Sequence, residues 1–357
     1  MPRCESAHVL RGLAAVAVTW FHFTNGQPLF INPDSLLAWS GRYGYLGVPV
    51  FFVISGFVIP YSLDRMGYRF PNDVLTFAGK RFWRIYPAYI ASIVLTVVVL
   101  LASAMLPGSK AAVPVLDNPT IIGHLTYTVP WVGADWLVPI YWSLAIEIQF
   151  YIAMILLGPA LLSRKRGILF AMLFLLGCLC FVSSDRTLLF WYLPSFCAGI
   201  CWYLLFSGRL SALDAYSQAA GFVIIAGLTM PIGYAIATAA TTAALAMPIR
   251  ASWRLFAFLG TTSYSLYLVH SAIGGRIVNL GTRLPNSLLI QSSILALSML
   301  ASLVAAYVFW KIFEGGGTTE ASQNSKAAGP GFLETARGQP PCRKPLDDEP
   351  ASPDLRG

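Results

Sequence analysis

About ten apolar runs, each near the roughly 20 residues that a bilayer core demands, follow one another between residues 8 and 313. They fall at about 8–24, 43–63, 86–106, 136–162, 167–183, 188–206, 218–233, 234–249, 255–273 and 287–313. Backbone polar groups in hydrocarbon find no water, so such runs cross as helices that satisfy their own hydrogen bonds. The chain is therefore expected to be all-α, a polytopic integral membrane bundle of about ten transmembrane helices. Only 11% of its residues are charged, against about 25% in an ordinary soluble domain. The segment TMPIGY, residues 229–234, is either a tight turn between the seventh and eighth runs or a break in one long helix.

Loop charges orient the bundle. With a cytoplasmic N-terminus, the inner loops hold eleven basic residues: Arg65, Arg69, Lys80, Arg81, Arg84, Arg164, Lys165, Arg166, Arg209, Arg250 and Arg254. The outer loops hold five: Arg42, Lys110, Arg186, Arg276 and Arg283. An N-in, C-in arrangement thus obeys the positive-inside rule. The net charge of +8 resides in these short loops and forms no basic stripe, so a nucleic-acid partner is excluded and membrane lipids are expected.

The longest outer loop, 107–135, is rich in Pro and Gly; its Trp131, with Trp136 just beyond it, fits an interfacial belt. The first apolar run lacks a small-residue cleavage site and is expected to remain as a span. Residues 1–314 form the expected membrane domain, and the Gly/Pro/Ser-rich segment 315–357 is expected to be a disordered tail. Six cysteines occur, with no spacing that would bind a metal, and four of them lie inside apolar runs.

Ionisable groups inside spans cost roughly 2.5–3.5 kcal/mol each at a helix centre, which makes them functional candidates. The first run, VLRGLAAVAVTWFHF, carries Arg11 and His22. Eleven residues come to about 20° past three full turns, so both share one face, roughly 16 Å apart along the axis. Either they line a path through the bundle, or Arg11 snorkels and His22 caps the span at the interface. In the fourth run Ser143, Glu147 and Tyr151 recur every four residues as one stripe. Glu147 has no partner on its own helix. It is expected to take a partner from another helix, His22 or an arginine, and either to fix packing in a buried ion pair or to orient a histidine as a base. In the ninth run Ser263, Tyr267 and His270 share a face that either walls a substrate cavity or hydrogen-bonds a neighbouring helix. Lys80, Arg81 and Arg84 cluster at the cytoplasmic mouth of the third run. The two guanidinium forks suit phosphates, although a topology signal or an anionic-lipid contact would use the same residues.

Five segments in order, LRGLAAVAVTWFH, GVPVFFVISGFVI, RFWRIYPAY, YWSLAIEIQFY and LGTTSYSLYLVH, resemble the membrane acyltransferase-3 family in its stand-alone membrane form. The resemblance spans most of residues 8–313. It implies an enzyme that transfers an acyl group, often acetyl, from cytoplasmic acyl-CoA to a hydroxyl of a sugar, polysaccharide or related acceptor. The family's arginine and histidine eleven apart in the first helix match Arg11 and His22. Its glutamate after WSL matches Glu147, and its basic residues before RIYP match Arg81 and Arg84. Two departures stand out: IEIQF has a single acidic residue where the family often has two, and KIFEGGG keeps Glu314 but lacks the family's following proline.

The resemblance and the helical geometry together give an expected mechanism. Arg81, Arg84 and Arg11 hold the donor, His22 acts as general base or transient acyl carrier, and Glu147 orients His22. Ser143, Tyr151, Tyr267 and His270 line the acceptor side. No permanently bound cofactor is expected; acyl-CoA is the donor substrate, and a carbohydrate or lipid-linked glycan is the acceptor. Family analogy places the protein in a bacterial inner membrane. The alternative is a multi-pass transporter or exporter of a glycan or small molecule, which would need a similar number of spans and a few buried charges.

Overall fold

Every apolar run becomes a helix in the computed structural model, which describes residues 2–105, 113–247, 254–285 and 287–315. The helices are α1 (Pro2–Asn25), α2 (Leu36–Gly41), α3 (Gly47–Met66), α4 (Val74–Ala104), α5 (Asn118–Thr126), α6 (Trp142–Leu161), α7 (Arg166–Leu179), α8 (Leu189–Phe206), α9 (Ala212–Thr229), α10 (Ile232–Ala246), α11 (Arg254–Gly281) and α12 (Leu288–Phe313). No strand occurs among the described residues. Lys110, Arg250 and the expected disordered tail, except its first residue, lie outside them.

The chain is a polytopic membrane bundle. Among the described residues, six stretches are long and apolar enough to cross a membrane: Leu36–Met66, Val74–Ala104, Pro139–Leu161, Leu189–Phe206, Ala212–Thr229 and Leu288–Phe313. Apolar α7 and α10 are shorter, at about 21 and 22 Å against a core near 30 Å. With 24 and 28 residues, α1 and α11 are long enough to cross, but their polar faces lower their hydropathy.

Several boundaries differ from expectation for local reasons. Helix α4 starts at Val74, twelve residues before the predicted edge, so Lys80, Arg81 and Arg84 sit inside it rather than ahead of it. Helix α11 continues through Gly274 and Gly275 to Gly281 because the small residues there let neighbouring side chains pack close, without ending the helix. TMPIGY is a turn, with Met230 extended and Pro231 initiating α10.

Side-chain pairs fix the helix directions. His8 meets the Ala257 carbonyl and His22 meets His270, so α1 and α11 run parallel. Ser55 bonds Glu147 and Tyr68 bonds the Ile155 carbonyl, so α3 and α6 run parallel. Phe52 packs on Tyr192 and Tyr61 on Phe206, which adds α8 in the same sense. Arg81 lies over Tyr151 while Ser92 meets Tyr141, so α4 opposes α6. This alternation agrees with the expected N-in, C-in topology.

Lipid tails are as apolar as leucine, so helices associate in a bilayer through close packing of small residues. Two crossings hold the centre of this bundle. A Cβ on Gly12 would lie 2.7 Å from the Gly260 nitrogen, which brings α1 against α11. A Cβ on Gly56 would overlap the Phe196 carbonyl, and one on Gly199 would overlap the Val53 carbonyl, so α3 and α8 cross backbone to backbone. Around the second crossing Phe196 stacks on Phe52 and Phe150, with ring centroids 4.7 and 4.1 Å apart.

Candidate active site

The polar groups that an apolar bundle should exclude are stacked at three levels along α3. The cytoplasmic level is a cleft of about 360 Å³ whose lining includes Tyr61, Arg65, Lys80, Arg81 and Arg84. Because α4 extends well past the lipid-facing run, its first turns carry these cations into the bundle. Arg84 and Lys80 stay exposed, whereas Arg81 is 8% exposed. Its guanidinium stands 5.3 Å from the Phe77 ring centre and 5.9 Å from that of Tyr151. Aromatic faces attract a cation that water no longer solvates.

The middle level is a chamber of about 60 Å³ lined by Arg11, Ser55, Ser143, Glu147, Ser263 and Tyr267, with Phe51, Phe52 and Leu144 among its apolar walls. Glu147 accepts hydrogen bonds from Tyr151, 2.7 Å, and from Ser55, 3.0 Å. The i, i+4 spacing of α6 therefore links the chamber to the cleft through Tyr151, on which Arg81 rests. At the outer end of the chamber Tyr267 donates to the Ile140 carbonyl over 2.9 Å. Ser143 lies 2.6 Å from the Tyr267 hydroxyl and 3.1 Å from the same Ile140 carbonyl, so the two hydroxyls and that carbonyl form one closed triangle of hydrogen-bond contacts.

The third level is a pair of histidines. His22 Nδ1 lies 3.1 Å from His270 Nε2, with the rings 5.1 Å apart. His270 Nδ1 lies 3.0 Å from the Leu266 carbonyl oxygen, an atom that can only accept. The proton of a neutral His270 is thus on Nδ1, which leaves its Nε2 to accept from the His22 Nδ1–H and the His22 Nε2 with a lone pair. Phe21 packs edge-on to His22, 5.3 Å between centroids.

The structure gathers Arg11, Ser143, Glu147 and Tyr267 around one chamber and Arg81 and Arg84 around one cleft. Tyr151 connects the two, and His22 and His270 stand together beyond them. One pairing requires correction. His22 meets His270 and not Glu147, whose carboxylate accepts from Tyr151 and Ser55 one level nearer the cytoplasm. Likewise His270 is fully buried against His22 and Phe23 and does not form an open acceptor wall. Sequence reasoning missed Ser55, because one hydroxyl in the apolar run FFVISGFVI produces no periodic signal. The available clue to the histidine pair was that each stands in the outer half of a helix predicted to run outward.

A family model described as "Acyltransferase domain" matches residues 5–311. Among curated proteins, the chain is 30% identical over 158 residues to "Acyltransferase MdmB" of Streptomyces mycarofaciens, covering 42% of this chain and 38% of that protein. It is 27% identical over 299 residues to "Putative membrane-bound transacylase BcsY" of Komagataeibacter xylinus, covering 73% and 70%. It is 31% identical over 161 residues to "O-acetyltransferase OatA" of Staphylococcus aureus, covering 43% and 24%. The matched region is thus about two fifths of the first relative's length and a quarter of the third's. No solved structure matches the chain.

Proposed function

The chain belongs to the acyltransferase-3 family, and on that premise we propose that it is a membrane O-acyltransferase of a bacterial inner membrane, moving an acyl group from cytoplasmic acyl-CoA to a hydroxyl of a carbohydrate or lipid-linked glycan. The observation that carries this reading is the continuity of three levels along one helix. Tyr61 and Arg65 of α3 line the basic cleft, Ser55 lines the chamber, and Gly44, just before the same helix, packs on the backbone of Ala17 and the Phe21 side chain beside His22. A phosphate-bearing donor fits the cleft, where four cations converge and three are guanidinium forks. A flexible thioester arm threading the polar chamber then covers the roughly 16 Å from the Arg11 level to the His22 level.

At that end His22 Nε2 takes the proton of the acceptor hydroxyl as its oxygen attacks the thioester carbonyl. The new C–O bond forms, the C–S bond breaks, and His22 returns the proton to the departing thiolate, giving an ester and a free thiol. A positioned general base of this kind is worth roughly 10²–10⁴-fold in rate. Glu147 supports the path rather than the base: between Tyr151, Ser55 and Arg11 it balances the positive charge that the cleft brings inward. The named activities of the bacterial relatives, acyltransferase and O-acetyltransferase, support the reaction class.

The test uses membrane vesicles carrying the full chain, labelled acyl-CoA and a glycan extract. Wild type should transfer label to glycan, and folded His22→Ala should lose at least about 10²-fold of that rate. Full activity in His22→Ala, or no acyl-CoA-dependent transfer by wild type, overturns the reading. Mass spectrometry of surface glycans with and without the protein would identify the acceptor and the acyl group.

A further inference from the structure

We propose that His270 is the positioning residue of the base: it accepts the His22 Nδ1 proton and thereby presents the bare Nε2 of His22 to the acceptor hydroxyl. The inference rests on His22 being the base, as proposed above. It is carried by a chain of two hydrogen bonds whose direction is fixed at its far end. The Leu266 carbonyl has no proton to give, so at 3.0 Å it holds the His270 proton on Nδ1. The Nε2 of the neutral His270 ring is then an acceptor, and the atom facing it at 3.1 Å, His22 Nδ1, is the donor. A histidine's tautomer is set by the bond its other nitrogen makes.

The surroundings keep this arrangement rigid. His270 is 0% exposed, and its ring is bracketed by Phe23 at 6.2 Å and Tyr267 at 6.1 Å between centroids. Gly274, one turn on, leaves room for the Phe23 ring; a Cβ there would overlap it. The Leu266 bond spans one turn within α11, so the same helix sets both the position and the tautomer of His270. His22 is only partly buried, as the group that must meet a substrate has to be. The arrangement has the logic of a nucleophile–base–orienter relay, with a neutral imidazole in the place usually taken by a carboxylate. Unlike a carboxylate, this orienter adds no charge to a low-dielectric interior, where an unpaired charge is costly.

Two measurements test it. Solid-state nitrogen NMR of labelled histidine in the wild-type protein should show the proton of neutral His22 on Nδ1; a proton on Nε2 instead overturns the proposal without any mutation. In the transfer assay, His270→Phe keeps the ring shape without an acceptor and should lower kcat by about 10²-fold while the donor KM changes less than about threefold. His270→Gln offers an amide oxygen near the lost Nε2 and should recover at least tenfold of that loss. Equal damage in the two folded variants, a change confined to KM, or full activity in His270→Phe overturns the positioning role. If His270→Phe is fully active while His22→Ala is inactive, only this inference fails. An active His22→Ala overturns the base itself.

Discussion

The Tyr151 hydroxyl donates to the Glu147 carboxylate over 2.7 Å while the Arg81 guanidinium lies over the same tyrosine ring. One aromatic side chain therefore couples the cation of the cleft to the anion of the chamber without a direct ion pair. A hydrogen bond to a charged group is worth about 1.5–3 kcal/mol. Tyr151→Phe should lower transfer by about tenfold or more, with Glu147→Gln lower still because it removes the charge itself. Rates measured on folded protein check the order, and a silent Glu147→Gln would refute it.

Arg84 and Arg81 line the same cleft but differ in burial, and their variants should separate accordingly. Arg84 is exposed, so Arg84→Ala should raise the donor KM by about tenfold, a loss typical of one charge-assisted contact, and leave thermal stability alone. Arg81 is buried over Phe77 and Tyr151, so Arg81→Ala should also lower the melting temperature through lost packing. Donor titrations and detergent thermal shift on the same preparations check both.

The crossing of α3 and α8 leaves no space for a methyl group on either glycine. Gly56→Ala and Gly199→Ala each press on a backbone carbonyl, which cannot swing aside as a side chain would. Each should cost about 1–3 kcal/mol or more and reduce the yield of folded protein. Gly221→Ala on α9 is the control: its Cβ meets nothing within 4 Å, and Ala is the better helix former, so stability should hold or rise by up to about 1 kcal/mol.

His124, in the short outer helix α5 apart from the membrane-crossing helices, gives a pH dependence. Burial pushes its pKa below the usual 6.5, against a smaller opposing effect of the Thr120 carbonyl. Its Nδ1–H donates to that carbonyl over 2.8 Å and its Nε2 accepts from the Leu137 N–H over 3.1 Å, an arrangement that only the neutral ring can make. Because the folded pKa is depressed, the unfolded chain binds the proton more tightly. Stability is complete above about pH 6.5 and is lost as the pH falls through and below that value. The melting temperature should drop between pH 7 and pH 5, and His124→Gln should flatten that slope.

The helical membrane bundle and the order of its apolar helices were legible in the sequence because lipid admits only helices across its core. The stripe Ser143, Glu147, Tyr151 was legible too, since a four-residue spacing places side chains on one face of any helix. The early start of α4 was not, because helix ends depend on what packs against them. Neither was the role of His124, whose partner Leu137 is reached only when the outer loop folds back.

By itself the sequence determined which residues an apolar bundle must hide: Arg11, His22, Glu147 and His270 are visible as polar groups in runs that lipid would otherwise surround. Tertiary structure decided who faces whom. Glu147 and His22 looked like partners because no charged group stands four residues from either on its own helix, but Tyr151, one turn along α6, and Ser55, across on α3, take the Glu147 carboxylate one level nearer the cytoplasm. The close approach of α1 to α11 at Gly12 and Gly260 brings His22 to His270 instead. Periodicity fixes the angle of a side chain around its own helix, whereas the height of one helix against another is set by where small residues let the backbones meet.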